Sequence, residues 1–259
     1  MKVLLTGGAG YLGMVTAATL SRRGHEAVVF DRFCHLRAGD TPAAFMARHA
    51  APGVSWVAGD VRRLQEHPSL LDGVDAVVHM GGVSTEQAWS AILDANIRGL
   101  VHLYEAARAH GTQRIVFASS NHVTGFYRQD QVVSPRDPVR PDGFYGLSKA
   151  FGENLAQLYW DRFGIETVSL RIGSSFPAPR DRRMLATYLS YDDAERLVAA
   201  ALTAPVVGHS VIYGMSDNPL TWWDNTPARH IGYRPQDSSE PFRAAIEQQT
   251  GVPASQIMI

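Results

Sequence analysis

Short apolar or β-branched runs alternate along this chain with longer stretches in which apolar residues return every three to four positions. The short runs fall at residues 3–6, 27–30, 54–58, 76–79, 114–118 and 166–171. Their length suits strands, and their near-continuous hydrophobicity suits strands covered on both faces. Helical periods occupy residues 10–23, 87–110 and 145–163, and a further one spans 192–204 after a Pro- and Arg-rich loop that begins beyond Ile172. A late strand is expected at 209–215. Strand–helix alternation of this kind predicts an α/β fold, a doubly wound parallel sheet with right-handed crossovers. Residues 31–53 are too irregular to assign.

The turn between the first strand and first helix reads Thr6-Gly-Gly-Ala-Gly-Tyr-Leu-Gly13. Gly7, Gly10 and Gly13 allow a tight turn, close approach of a pyrophosphate to amide N–H groups, and close helix–sheet packing, while the positive helix end favours the anion. Tyr11 and Leu12 lie in the same loop. A glycine triplet alone could be a turn that binds nothing. Asp31, however, ends the second strand, where an acid accepts hydrogen bonds from the adenosine ribose, so the pair points to a dinucleotide. That carboxylate would repel a 2′-phosphate, so NAD is expected over NADP, with neighbouring Arg32 free to oppose this by pairing with phosphate. Asp60 and Val61 follow the third strand, where Asp60 either accepts from adenine or caps a helix. Gly81, in His79-Met-Gly-Gly82, leaves room beside the fourth strand. Asn96, inside the long helix, reads as a buried hydrogen-bonding residue that holds the neighbouring strand end.

The chemical candidates are Ser120, Tyr145 and Lys149. A tyrosine hydroxyl is a weak base near neutrality because its pKa is about 10. Lys149, one helical turn later on the same face, is expected to stabilise the phenolate and lower that value. Ser120, at the carboxyl end of the fifth strand, would hold the substrate oxygen in line with the tyrosine. A surface Tyr–Lys pair and a polar Ser-Ser-Asn loop are the bland alternatives, and the glycine turn with its acid argues against them.

Composition narrows the partners. The 259 residues carry a net charge of -1 and no basic run, so neither nucleic acid nor an anionic membrane is an expected partner. A single cysteine, Cys34, excludes an internal disulfide and suits a reducing compartment; no metal site is expected. With no signal-like start and no apolar stretch near the roughly 20 residues of a membrane span, a cytoplasmic protein is expected.

On Thr6–Gly13, Asp31, Asp60, Asn96 and Tyr145-x-x-x-Lys149, the chain resembles an extended short-chain dehydrogenase/reductase of the NAD-dependent epimerase/dehydratase family. Longer strings make it similar to the uronate dehydrogenases within that family. They include Ile115-Val-Phe-Ala-Ser-Ser-Asn-His122, Arg140-Pro-Asp-Gly-Phe-Tyr-Gly-Leu-Ser-Lys149, Arg171-Ile-Gly-Ser174, Arg183-Met-Leu185 and Trp222-Trp-Asp-Asn225. The resemblance implies a Rossmann domain over residues 1–172 that carries the catalytic residues, and an interleaved substrate-binding region over 173–259. It implies NAD-dependent oxidation of a hexuronic acid at C1 to an aldarolactone, with Tyr145 as base and Ser120 orienting the hydroxyl. Lys149 would also hold the nicotinamide ribose. It further implies that Arg183 grips the C6 carboxylate, that Ser84, Asn121, His122 and Ser174 contact the sugar, and that the protein is a homo-oligomer. Trp222 and Trp223 are expected to pack the smaller region. Three readings stay open beside it: a 1-dehydrogenase of another aldose or sugar phosphate, a nucleotide-sugar epimerase, and a non-catalytic NAD sensor.

Overall fold

The structure, a computed structural model, describes residues 1–250. In chain order its elements are β1 (Lys2–Thr6), α1 (Tyr11–Arg22), β2 (Glu26–Asp31), α2 (Pro42–Arg48), β3 (Val54–Ala58), β4 (Ala76–His79), α3 (Trp89–Ile92), α4 (Gly99–Ala109), β5 (Arg114–Ser120), α5 (Phe144–Phe163), β6 (Glu166–Ile172), β7 (Ser174–Ser175), α6 (Arg182–Thr187), β8 (Tyr188–Leu189), α7 (Tyr191–Thr203), β9 (His209–Gly214) and α8 (Glu240–Thr250). Seven strands form one sheet in the order β3-β2-β1-β4-β5-β6-β9, with every neighbouring pair parallel. The doubly wound fold read from the sequence is present.

The strands are apolar at successive positions because both faces are covered. Val3, Leu5, Val29, Val78 and Val116 point into one core with Leu197, Val198 and Ala201 of α7. Leu4, Val28, Phe30, Val77 and Phe117 point into the other with Leu100, Leu103 and Ala107 of α4 and Ala156 and Tyr159 of α5. Alternate side chains of a strand face opposite ways, so one run feeds two cores. Fully burying an aliphatic side chain of this kind stabilises the fold by roughly 1.5–3 kcal/mol.

The structure adds to the sequence reading in two places and corrects it in one. The unassigned stretch 31–53 contains α2, started by Thr41, whose hydroxyl accepts the Ala44 N–H, and by Pro42 at the first helical position. The long second helix starts at Trp89, not residue 87, and is not regular: α3 and α4 are separated by a π-helical stretch, Leu93–Arg98. That widened turn carries the buried Asn96. The late strand lies within the main sheet, where β9 pairs with β6 along six positions, and α7 packs on α1.

Candidate active site

Strand order reverses between β1 and β4, so the chain leaves those two strands in opposite directions and opens a crevice at their carboxyl ends. There lies a cleft of about 2040 Å³, roughly twice the upper range for a single small-ligand pocket. Gly7, Gly10, Tyr11, Leu12, Gly13, Asp31, Asp60, Val61, Gly81, Ser84, Ser120, Asn121, His122, Tyr145, Lys149, Ser174 and Arg183 all line it. Its size accommodates a dinucleotide and a second small molecule together.

At the β1 end, Gly7 has φ +74°, and a Cβ there would lie 2.4 Å from the Gly81 nitrogen, so only glycine fits. A Cβ on Gly13 would meet the Gly7 carbonyl oxygen at 2.2 Å, which is how closely α1 approaches the turn. By contrast, a Cβ on Gly10 or Gly81 would meet no protein atom closer than 3.4 or 3.5 Å. The protein itself tolerates a side chain at both, and the space they leave faces the cleft. No side chain caps the N-terminus of α1 at Gly10, so the first-turn N–H groups stay available to an anion. These features fit a pyrophosphate.

Asp31 is buried, and its two oxygens are held by backbone: Oδ2 accepts the Ala9 N–H at 3.0 Å and Oδ1 the Phe33 N–H at 2.6 Å. The acid is thereby fixed at the end of β2, with the remaining lone pairs of each oxygen free to accept a ribose hydroxyl. Asp60 adopts the capping role, accepting the Arg62 N–H at 3.0 Å. The Arg62 guanidinium closes on it in a two-pronged ion pair, and Arg32 Nε reaches the same carboxylate at 3.1 Å. Burial alone would raise the Asp60 pKa; the Arg62 hydrogen bonds and charge outweigh it and hold the carboxyl below its ordinary value. Arg32, the candidate partner of a 2′-phosphate, is instead turned to Asp60.

At the β4 and β5 ends lie the chemical groups. His79 is buried and its Nδ1 pairs with the Thr6 hydroxyl at 2.6 Å. Burial and then the Lys149 charge push its pKa down to about 3, so the ring is neutral at physiological pH. Asn96 accepts the Val83 N–H at 2.7 Å and donates to Val83 O and to Ser148 Oγ at 3.0 and 2.9 Å. It therefore ties the loop after β4 to α5, as its sequence position suggested.

Helix α5 turns Tyr145, Lys149 and Glu153 toward the sheet, one turn apart, and all three are buried. The Ser120 side chain lies near the Tyr145 hydroxyl at the end of β5. The Tyr145 pKa is raised by burial, an effect the Ser120 side chain opposes. Lys149 Nζ donates to Ala118 O at 2.7 Å and lies 5.7 Å from the Tyr145 ring centre. Burial brings its own pKa down to about 8. The Tyr145 hydroxyl thus sits above, not below, its ordinary pKa in this geometry. Two N–H groups of Lys149 remain for other acceptors.

Around this centre, Asn121 Oδ1 is 3.4 Å from Ser120 Oγ, and Ser120 Oγ accepts the His122 N–H at 3.2 Å. His122 packs edge-on to Tyr145 at 5.5 Å. On the far segment, the short α6 begins with Asp181, whose carboxylate accepts the Met184 N–H at 2.8 Å. Arg183 is exposed on that helix, and its Nη2 reaches Ser174 Oγ at 3.4 Å. Trp223 is buried and stacks on Tyr213 of β9 at 4.8 Å, so it packs against the edge of the main sheet.

Sequence reading missed two supports. Glu86 accepts the backbone N–H groups of Phe144 and Tyr145 at 3.1 and 2.9 Å, capping α5 from the Ser84 loop. Glu153 binds Arg171 through both carboxylate oxygens at 2.9 and 2.8 Å and accepts from Ser119 Oγ at 2.6 Å. The second was open to a periodicity argument, since Glu153 follows Lys149 by one turn. The first links distant loops, and no local signal marks it.

A parallel sheet with a glycine turn and terminal acid on β2, joined to a Ser–Tyr–Lys group at the neighbouring strand ends, defines a dinucleotide-dependent oxidoreductase site. The chain belongs to the NAD dependent epimerase/dehydratase family, whose model matches residues 3–199. It is 52% identical over 248 residues to the uronate dehydrogenase of Pseudomonas putida, covering 96% of this chain and 88% of that protein. The crystal structure of uronate dehydrogenase from Agrobacterium tumefaciens superposes with a TM-score of 0.87 at 43% identity, over 97% of this chain and 90% of that one. A mutant of that enzyme complexed with NAD gives a TM-score of 0.86 at 42% identity, over 95% and 89%.

Proposed function

We propose that this protein oxidises a hexuronic acid such as glucuronate or galacturonate at its anomeric carbon to the aldarolactone, using NAD. The observation that carries the reading is the joining, in one cleft, of Ser120, Tyr145 and Lys149 with the exposed guanidinium of Arg183. Similarity to uronate dehydrogenases across nearly the whole chain supports it.

NAD, when bound, supplies the acceptor for the C1 hydride. Asp31 would hold the adenosine ribose, the Gly7–Gly13 turn the pyrophosphate, Asp60 and Val61 the adenine surroundings, and Gly81 the space along β4. Lys149 would donate to the nicotinamide ribose with the N–H groups that Ala118 leaves free. Tyr145 takes the proton of the C1 hydroxyl, and Ser120 holds that hydroxyl in line. Arg183 pairs with the C6 carboxylate, which a planar fork of donors matches in two bonds. Ser84, Asn121, His122 and Ser174 contact the ring hydroxyls or carboxylate.

The same reading makes the protein a cytoplasmic homo-oligomer. Phe144, Leu147 and Leu158 lie along one exposed face of α5, with Trp89 packed on Phe144. Apolar side chains at such spacing suit a helix that packs against its own copy. No helix among the described residues is long and apolar enough to cross a membrane.

Absorbance of NADH, followed with purified protein, NAD and separately glucuronate, galacturonate, glucose and glucose 6-phosphate, tests the function. Reduction with the uronates alone is expected. Reduction with a neutral or phosphorylated sugar would discard the carboxylate assignment, and silence with all four would discard the dehydrogenase.

A further inference from the structure

His122 meets the cleft with a carboxylate behind it. Its Nδ1 lies 2.8 and 3.0 Å from the two oxygens of Asp142, three residues before Tyr145. The Asp142 N–H donates to the His122 carbonyl at 3.4 Å, so side chain and backbone of the two residues are joined. The carboxylate fills a space that glycine keeps open: a Cβ on Gly125 would lie 2.0 Å from Asp142 Oδ2. His122 is itself tied to Ser120 through its N–H and leans on the Tyr145 ring.

We propose that Asp142 is a positioning residue for the sugar site, acting through His122. An ionised carboxylate only accepts, so Nδ1 must carry the hydrogen, and in the neutral ring Nε2 is then the acceptor. The ring is half-exposed and lines the cleft, which leaves Nε2 to receive a hydrogen bond from a sugar hydroxyl. Without Asp142 the ring is free to take the other tautomer, to rotate, and to present a donor where the hydroxyl needs an acceptor. The inference rests on the sugar-acid reading above, since it is that substrate which His122 would meet.

The test is a double-mutant cycle with Asp142→Asn, Asp142→Ala and His122→Gln, measured for the sugar and for NAD. Either Asp142 variant is expected to raise the sugar KM about tenfold, the cost of one misplaced hydrogen bond, with the NAD KM changed less than twofold. In the His122→Gln background, Asp142→Ala should add less than a twofold effect. Nitrogen NMR of the His122 ring in the intact protein should show hydrogen on Nδ1, and loss of that preference in Asp142→Asn. Multiplicative effects in the cycle, an equal rise in the NAD KM, or an Nε2-protonated ring in the parent protein would each overturn the proposal. If the parent protein turns over none of the uronates, the substrate reading fails by itself, and the ring spectrum still decides the role of Asp142.

Discussion

The ammonium of Lys149 rests on the carbonyl oxygen of Ala118, 2.7 Å away, two residues before Ser120 on the same strand. Strand β5 therefore fixes both Ser120, which lines the cleft with Tyr145, and the lysine one turn beyond Tyr145 on α5. The lysine is buried to 6% exposure, and that burial brings its pKa from 10.5 to about 8.

Lys149→Met should consequently yield a more stable but inactive protein. A lysine whose folded pKa lies below its unfolded value destabilises the native state wherever both forms are charged, that is below about pH 8. The penalty fades as pH rises from 8 toward 10.5, where the folded lysine has lost its proton and the unfolded one has not. At pH 7 the variant is expected to gain up to about 3 kcal/mol in urea unfolding, with the gain shrinking by pH 10, while turnover falls by about a hundredfold or more. A destabilised variant would show that the ammonium's hydrogen bonds outweigh its desolvation.

Burial of Tyr145, opposed by the Ser120 side chain, should set the pH profile. Burial raises the tyrosine pKa and the Ser120 side chain opposes that rise. On the proposed mechanism the Tyr145 phenolate is the base, so the rate of oxidation should climb with pH. Ser120→Ala should move that climb to higher pH as well as lowering the rate, and Tyr145→Phe should reduce turnover by about 10²–10⁴-fold with NAD affinity unchanged by fluorescence titration. A Ser120→Ala profile with the same midpoint as the parent would detach the serine from the titration of Tyr145.

The parts of this architecture that obey a local rule were legible in the sequence. Strands covered on both faces read as apolar runs, and the turn from β1 to α1 reads as glycines because Gly7 has a positive φ and Gly13 a backbone neighbour. Tyr145 and Lys149 share a helix face by period alone. What escaped depends on contacts between distant segments. The π-helical turn around Asn96 answers to the Val83 loop and to Ser148, neither of which is near it in sequence. That the Lys149 ammonium also rests on the Ala118 carbonyl is set by sheet–helix packing and has no local signal. Helix α2 was hidden because none of its seven residues is buried, so it has no apolar stripe to reveal it.

Glu86 provides a check on how tightly the catalytic helix is held. No side chain within α5 caps its start, and Glu86 supplies that function from the loop carrying Ser84. Glu86→Ala should cost about 0.5–2 kcal/mol, the usual range for a lost helix cap. Because Tyr145 is one of the two capped residues, kcat should fall more than the sugar KM rises. Thermal unfolding and steady-state kinetics on the same preparation separate the two effects. A variant with lower stability and an intact kcat would confine Glu86 to holding the helix.

Beneath the site, Glu153 and Arg171 form an ion pair in which the two side chains are 4% and 2% exposed. The carboxylate also receives the Ser119 hydroxyl, so the pair reaches the residue next to Ser120. Removing one member leaves the other charge buried without its partner, which typically costs about 3–5 kcal/mol, whereas replacing both with apolar residues of similar volume is often neutral. Glu153→Ala should therefore be the more damaging change in urea unfolding, and Glu153→Leu combined with Arg171→Met should recover most of the loss. If the double variant recovers stability but not turnover, the pair serves the placement of Ser119 and Ser120. If it recovers both, the pair serves only to join α5 to β6, and the strand end carrying Ser120 is held by the sheet alone.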